Sequence, residues 1–124
     1  MDDGHLQWLA HCRNINYTPE VRRYTEGTST CQDAADQLGC DIAHIAKSVV
    51  FKGKDGAVVV ITSGKNLVDK KKKVKHLLGY KPSMATAEYV LEHTGYAVGG
   101  VSPFGHAMPT TIILDEELLN FDIV

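Results

Sequence analysis

Residues 45–62, IAKSVVFKGKDGAVVVIT, decide how this chain folds. Two runs rich in β-branched residues, Ile45–Lys52 and Ala57–Thr62, flank Gly53-Lys54-Asp55-Gly56. Turn residues between two such runs predict a β-hairpin. The second run is apolar on both faces, which places it centrally in a covered sheet. Along the first run the side chains alternate, so Ile45, Lys47, Val49 and Phe51 share one face. An ammonium on an apolar face is costly without a partner or a water-filled pocket, which singles out Lys47. The alternative is that Lys47 snorkels out at the sheet edge.

Working outward from the hairpin, residues 4–13 place Leu6, Leu9 and Ala10 at helical spacing with Trp8 nearby. Ile15 to Tyr24 reads as extended and is interrupted by Pro19. Thr30 is placed to cap a helix with Asp33 in its first turn, Ala34, Ala35 and Leu38 as its buried stripe, and Gly39 as its stop. After the hairpin, Leu67 to Leu78 is expected to be a helix with Leu67, Val74, Leu77 and Leu78 inward, ended by Gly79. A short strand near Pro82–Ala85 leads to Thr86, which caps a helix running through His93 and ending at Gly95. Thr110 to Leu114 is a further strand, Asp115 starts a helical turn, and Phe121 to Val124 begins another extended run. Helices interleaved with strands, two of them joined as a hairpin, predict a single α/β domain over residues 1–124 with a mixed sheet.

The 124 residues are 44% hydrophobic, enough for one packed core without metal or disulfide staples. The net charge of −2 provides no global basic field, so any contact with RNA rests on a local patch. The three cysteines, Cys12, Cys31 and Cys40, show no C-x-x-C pair and no zinc spacing, which fits a reduced, cytoplasmic setting. Met1-Asp2-Asp3-Gly4 is acidic and opens no long apolar run, so neither a secretory signal nor a membrane span is expected.

The second chemical feature is the segment Thr94–His106, TGYAVGGVSPFGH, with four glycines. Gly95, Gly99, Gly100 and Gly105 allow close backbone approach, and the amides around Gly99–Ser102 form a row able to stabilise an oxyanion or hold a phosphate. The plainer reading is an ordinary connection, although long loops in compact domains tend to be functional. Gly64-Lys65-Asn66 lacks the first glycine and the terminal hydroxyl residue of a P-loop. No Ser or Cys sits in a nucleophile-elbow pattern, and the six histidines show no ligand spacing. Only His106, beside the glycines, is a candidate. Lys70, Lys71, Lys72 and Lys73, with Lys75, are either a solvated helix face or a sequence-independent contact to RNA phosphates.

Ala46-Lys47-Ser48-Val49-Val50-Phe51 and Thr94-Gly95-Tyr96-Ala97-Val98-Gly99-Gly100-Val101-Ser102-Pro103-Phe104-Gly105 together resemble the YbaK/ProX family. That family comprises the editing domain of prolyl-tRNA synthetase and its free-standing relatives, and the likeness runs from about Ile15 to Val124. It implies a mixed, curled β-sheet flanked by helices. It also implies deacylation of mischarged aminoacyl-tRNA, above all tRNA-Pro carrying a small non-cognate amino acid, with no metal, no cofactor and no covalent nucleophile. Lys47 occupies the place of the strand lysine the family requires, and Gly99 to Pro103 correspond to the G-x-x-x-P loop that holds the aminoacyl-adenosine end. On this reading Lys47, Gly99 and Gly100 are catalytic. Tyr24, Ser48, Val101, Ser102, Pro103 and His106 contact substrate, Tyr24 through a soft alignment to a pocket tyrosine. Lys47 would orient the terminal ribose or phosphate, the Gly99–Ser102 amides would hold the carbonyl, and a small pocket would exclude the large cognate amino acid by size.

Relatives continue past the equivalent of Val124 into a glycine-rich turn and further strands. The expectation is therefore an open sheet edge that self-associates or takes a completing segment. The alternatives to an enzyme are a tRNA- or nucleotide-binding module without turnover and a protein-interaction domain that uses the open edge.

Overall fold

The computed structural model describes residues 3–18, 31–64, 74–98 and 100–121. The chain runs α1 (Asp3–Asn14), α2 (Cys31–Leu38), a 3-10 turn (Ile42–His44), β1 (Ala46–Lys52), β2 (Ala57–Ser63), α3 (Lys75–Leu78), β3 (Ser83–Met84), α4 (Ala87–Thr94), β4 (Thr111–Leu114) and a second 3-10 turn (Glu116–Asn120). The strands form one mixed sheet in the order β3-β1-β2-β4. β1 pairs antiparallel with β2 and β3, and β4 lies parallel to β2. The expected mixed α/β architecture is the one observed.

The hairpin forms where its turn chemistry places it. Gly53 N–H donates to Gly56 O at 2.9 Å, and the register runs from Lys52 opposite Ala57 to Ala46 opposite Ser63. Gly53 is required by crowding, because a Cβ there would stand 2.7 Å from Gly56 O and 2.8 Å from the Tyr80 hydroxyl. All seven residues of β2 are buried, the pattern of a strand paired on both sides and covered on both faces.

Period-two alternation divides the core. Phe51, Val58 and Val60 pack with Val74 on one face, joined by Val49, Leu78 and Ile113. Val59, Ile61 and Leu118 pack on the other, joined by Val50. Lys47 therefore shares the face of Val49 and Phe51, as its position in the strand predicts.

Helix ends follow the expected residues. The Thr86 hydroxyl accepts from Tyr89 N–H at 3.2 Å, and Gly39, Gly79 and Gly95 all have positive φ just past a helix. Asp115 caps its 3-10 turn by accepting from Glu117 N–H at 3.0 Å. Two inward assignments are corrected. Leu38, expected in the buried stripe of α2, is 42% exposed, because it is the final residue of that helix and the buried position there is Ala35. Leu77 is 65% exposed, whereas Val74 is buried and Leu78 half-buried. Residues four apart share a helix face, so Val74 and Leu78 point at the sheet together and Leu77 lies about a quarter-turn away. The Ile42–His44 turn has no counterpart in the sequence reading. It forms because the Asp41 carboxylate accepts from Ala43 N–H at 2.9 Å, and a turn this short carries no periodicity. The calls on Pro19, Tyr24, Thr30, Leu67, Lys70–Lys73 and residues 122–124 lie outside the described residues, as does Gly99. No helix among the described residues is long and apolar enough to cross a membrane.

Candidate functional site

Two groups of residues are candidates for the chemistry. The first is a row across the sheet. Lys47, half-buried on β1, stands directly opposite Thr62 on β2. The Thr62 hydroxyl donates to Asp115 Oδ2 at 2.8 Å, just beyond the end of β4. An ammonium, a hydroxyl and a carboxylate thus follow one another along one sheet face. The sequence reading singled out Lys47 but took Thr62 as the end of a strand and Asp115 as a helix start. Their proximity depends on the parallel pairing of β2 with β4, between residues 53 positions apart. Ser48 is half-buried on the opposite face, opposite Ile61.

The second group is the glycine loop, which the protein holds from several sides. Gly95 ends α4 at φ 79°, and the buried Thr94 hydroxyl donates to Val90 O at 2.6 Å while accepting from Tyr96 N–H at 3.1 Å. Ala107 N–H donates to Thr94 O at 3.0 Å and Met108 N–H to His93 O at 2.9 Å, so the loop returns to the helix end it left. From α1, the Gln7 amide nitrogen donates to Thr94 O at 2.9 Å and to Gly105 O at 2.7 Å. The Tyr96 hydroxyl lies 3.1 Å from Gly105 O. Both hydrogens of the Gln7 amide are engaged, which makes α1 a brace across the two ends of the loop.

His106 has both ring nitrogens occupied. Nε2 lies 2.8 Å from Ser102 O and Nδ1 lies 2.7 Å from Thr110 Oγ1. A carbonyl only accepts, so Nε2 carries the proton and, in the neutral ring, Nδ1 accepts from the Thr110 hydroxyl. In this arrangement the ring is a latch on the loop, with no nitrogen left to take a substrate proton. We expect His106→Ala to loosen the loop and to lower kcat/KM for the deacylation that the family resemblance implies about tenfold, less than the roughly 10²- to 10⁴-fold that removing a true acid–base group costs. Steady-state kinetics of the variant check this, and total loss of activity in a folded protein would return His106 to the chemistry.

The amide row is narrower than the spacing suggested. Gly100 N–H donates to Ala97 O at 2.9 Å, closing a turn, and Phe104 N–H donates to Ser102 Oγ at 3.3 Å. Among the described residues, the N–H groups of Val101 and Ser102 have no backbone partner and remain the donors for an incoming oxygen.

Burial raises the hydroxyl pKa of Tyr96 above the ordinary 10.0, with its hydrogen bonds to Ser102 and Gln7 opposing the shift. A raised folded value means that this contribution to stability is complete below the ordinary tyrosine range. It is lost as pH rises through the raised value, because the unfolded chain releases its proton first. We expect alkaline unfolding of the wild type to coincide with phenolate absorbance, and Tyr96→Phe to remove that component.

Loop, α4 and α1 border an open hollow of about 640 Å³ lined by Gly100, Val101, Ser102 and Pro103 together with His5 and Trp8. Lys47, Ser48 and His106 are not among its lining residues. Lys75 is exposed on α3. No group of three His, Cys, Asp or Glu among the described residues is placed to hold a metal ion.

Comparison with known proteins gives this arrangement its context. The chain is 33% identical over 115 residues to the uncharacterized protein YwhH of Bacillus subtilis, a match spanning 92% of this chain and 73% of that protein. It is 34% identical over 93 residues to the proline–tRNA ligase of Thermosipho melanesiensis, covering 75% of this chain and 15% of the ligase. A crystal structure named as that of a candidate trans-editing enzyme for prolyl tRNA synthetase superposes with a TM-score of 0.88 at 34% identity, over 98% of this chain and 77% of the other. Residues 25–124, which hold both the strand lysine and the glycine loop, match the aminoacyl-tRNA editing domain, and the chain belongs to that family.

Proposed function

We propose that this protein hydrolyses the ester bond of mischarged aminoacyl-tRNA, with tRNA-Pro bearing a small non-cognate amino acid as its substrate. The observation that carries the reading is Lys47, held half-buried on an apolar sheet face in one row with Thr62 and Asp115. A cation in that position is expensive to keep unless it meets an anion or a polar ligand.

An aminoacyl ester is already activated. Water adds to its carbonyl carbon, the carbonyl oxygen gains charge, and the ribose oxygen leaves with a proton. The protein need only position the ester and stabilise the oxyanion. Lys47 orients the terminal ribose or phosphate, and the Val101 and Ser102 amides receive the developing charge. Gly99 belongs to the same proposal by its place in the motif, as do the Tyr24 pocket contact and the phosphate contacts of Lys70–Lys73. The amino acid is selected by a size limit, which discriminates weakly per methylene but rejects anything larger than the pocket. A further strand along the outer edge of β4, from a second copy or a completing segment, is part of the same reading. Ile112 and Leu114 are about half exposed on that strand.

The test is a panel of mischarged tRNAs incubated with the protein. Release of alanine or cysteine from tRNA-Pro is expected, with cognate prolyl-tRNA left intact. One observation favours a second reading, a module that binds the acceptor end without turnover: Lys47 is absent from the lining of the hollow at the glycine loop. That reading predicts salt-dependent binding of aminoacyl-tRNA with no amino acid released.

A further inference from the structure

The hollow beside the glycine loop has a wall that the editing-domain match does not include. Trp8 and His5 belong to α1, ahead of the matched residues 25–124, yet they line the same hollow as Val101, Ser102 and Pro103. Their rings lie 6.0 Å apart, and Trp8 also lies 6.4 Å from Phe104 of the loop, tilted by 35°. Trp8 is only half-buried, so part of its indole borders the cavity.

The shape and chemistry of the hollow suit one class of ligand. Its volume falls within the range of small-molecule sites, about 300–1,000 Å³. Its lining combines the Trp8 and His5 rings with Gly100, Val101, Ser102 and Pro103, which sets flat aromatic surface beside loop backbone and a hydroxyl. A ligand with two apolar faces and a hydrogen-bonding edge matches such a slot, and a nucleobase has that form. Unpaired bases at RNA ends are held by stacking on aromatic side chains.

We propose that Trp8 is a stacking platform for the unpaired terminal purine of the tRNA acceptor end, seated between α1 and the Gly100–Pro103 segment. The assignment rests on the editing reading for the identity of the RNA, but not for the presence of a base site. Gln7, one residue before Trp8, ties the same helix to Thr94 and Gly105, so the platform and the loop move as one unit. Placement of the base would thereby fix the ribose ester relative to the Val101 and Ser102 amides.

Trp8 is the lone tryptophan of the chain, so its emission reports on this cavity directly. Titration of the full chain with adenosine 5′-monophosphate should give saturable quenching at millimolar concentrations, and ribose 5-phosphate, which lacks the base, should give none. Trp8→Ala should raise KM for mischarged tRNA about 10- to 100-fold with a smaller change in kcat, the loss expected for one stacked base. Trp8→Phe, which keeps an aromatic face, should recover most of it. Deacylation without base-dependent quenching, or equal quenching by ribose 5-phosphate, overturns the base site and leaves the hydrolase reading intact. Quenching by the nucleotide with no deacylation of any tRNA supports the base site and overturns the hydrolase.

Discussion

Lys47→Ala should reduce kcat/KM for deacylation of mischarged tRNA about 10²- to 10³-fold, the usual effect of removing one preorganised electrostatic contact from an acyl-transfer site. Two properties of the residue make the variant clean. Lys47 is half-buried rather than core, and the apolar contacts that hold β1 in place come from Val49, Val50 and Phe51. The fold should therefore tolerate the change, and relief of the cost of a cation on an apolar face should leave the variant at least as stable as the wild type. Lys47→Arg keeps the charge but replaces a compact ammonium by a planar fork, and it should restore little activity if the lysine grips ribose or phosphate from within a narrow space. Single-turnover hydrolysis with unfolding midpoints for each variant is the measurement. Unchanged turnover in Lys47→Ala would remove the sheet row from the mechanism and leave the loop hollow as the whole site.

Gly95→Ala carries the largest expected effect on stability. Gly95 has φ 79°, and a Cβ added there would run into the Gln7 side-chain amide. A flexible side chain normally retreats from such a collision at small cost. Gln7 cannot retreat freely, because its nitrogen is held by Thr94 O and Gly105 O. The variant therefore combines a left-handed backbone penalty of about 1–2 kcal/mol with the loss of up to two hydrogen bonds worth about 0.5–1.5 kcal/mol each. With both bonds lost, a total of about 2–5 kcal/mol is a large part of the stability of a domain of this size. Denaturant unfolding measures it directly. Gln7→Ala should reproduce the hydrogen-bond part without the backbone part, which separates the two causes. A Gly95→Ala protein as stable as the wild type would mean that α1 does not brace the loop.

The hairpin, the central strand and the glycine helix stops were legible because each has a local cause. Gly53–Gly56 is turn chemistry, Ala57–Thr62 is apolar on both faces, and Gly79 and Gly95 adopt the conformation that glycine permits most readily. Lys47 was legible for the same reason, since strand alternation is a local rule. Leu77 was misplaced because a lone helical turn offers too few residues to fix the phase of its inward face. Asp115 and Thr62 were missed as a pair because nothing near either residue encodes a parallel pairing 53 positions away. The roles of Gln7 and Trp8 were hidden more deeply, as Gln7 reaches partners 87 and 98 positions ahead. The glycine loop was recognised from composition, but composition could not say which amides remain free: Gly100 is consumed by a turn to Ala97.

The parallel pairing of β4 with β2 has a kinetic consequence. The β1–β2 hairpin joins neighbours in sequence and can form early, whereas β4 must find its place after a long stretch of chain has been gathered in. Closing so large a loop is the slow kind of contact, because its entropy is lost before any pairing rewards it. α4 and the glycine segment lie within that stretch, between β2 and β4. A nascent chain would thus hold a finished hairpin while the candidate site is still unassembled, and the Thr62–Asp115 pairing would arrive only when β4 docks.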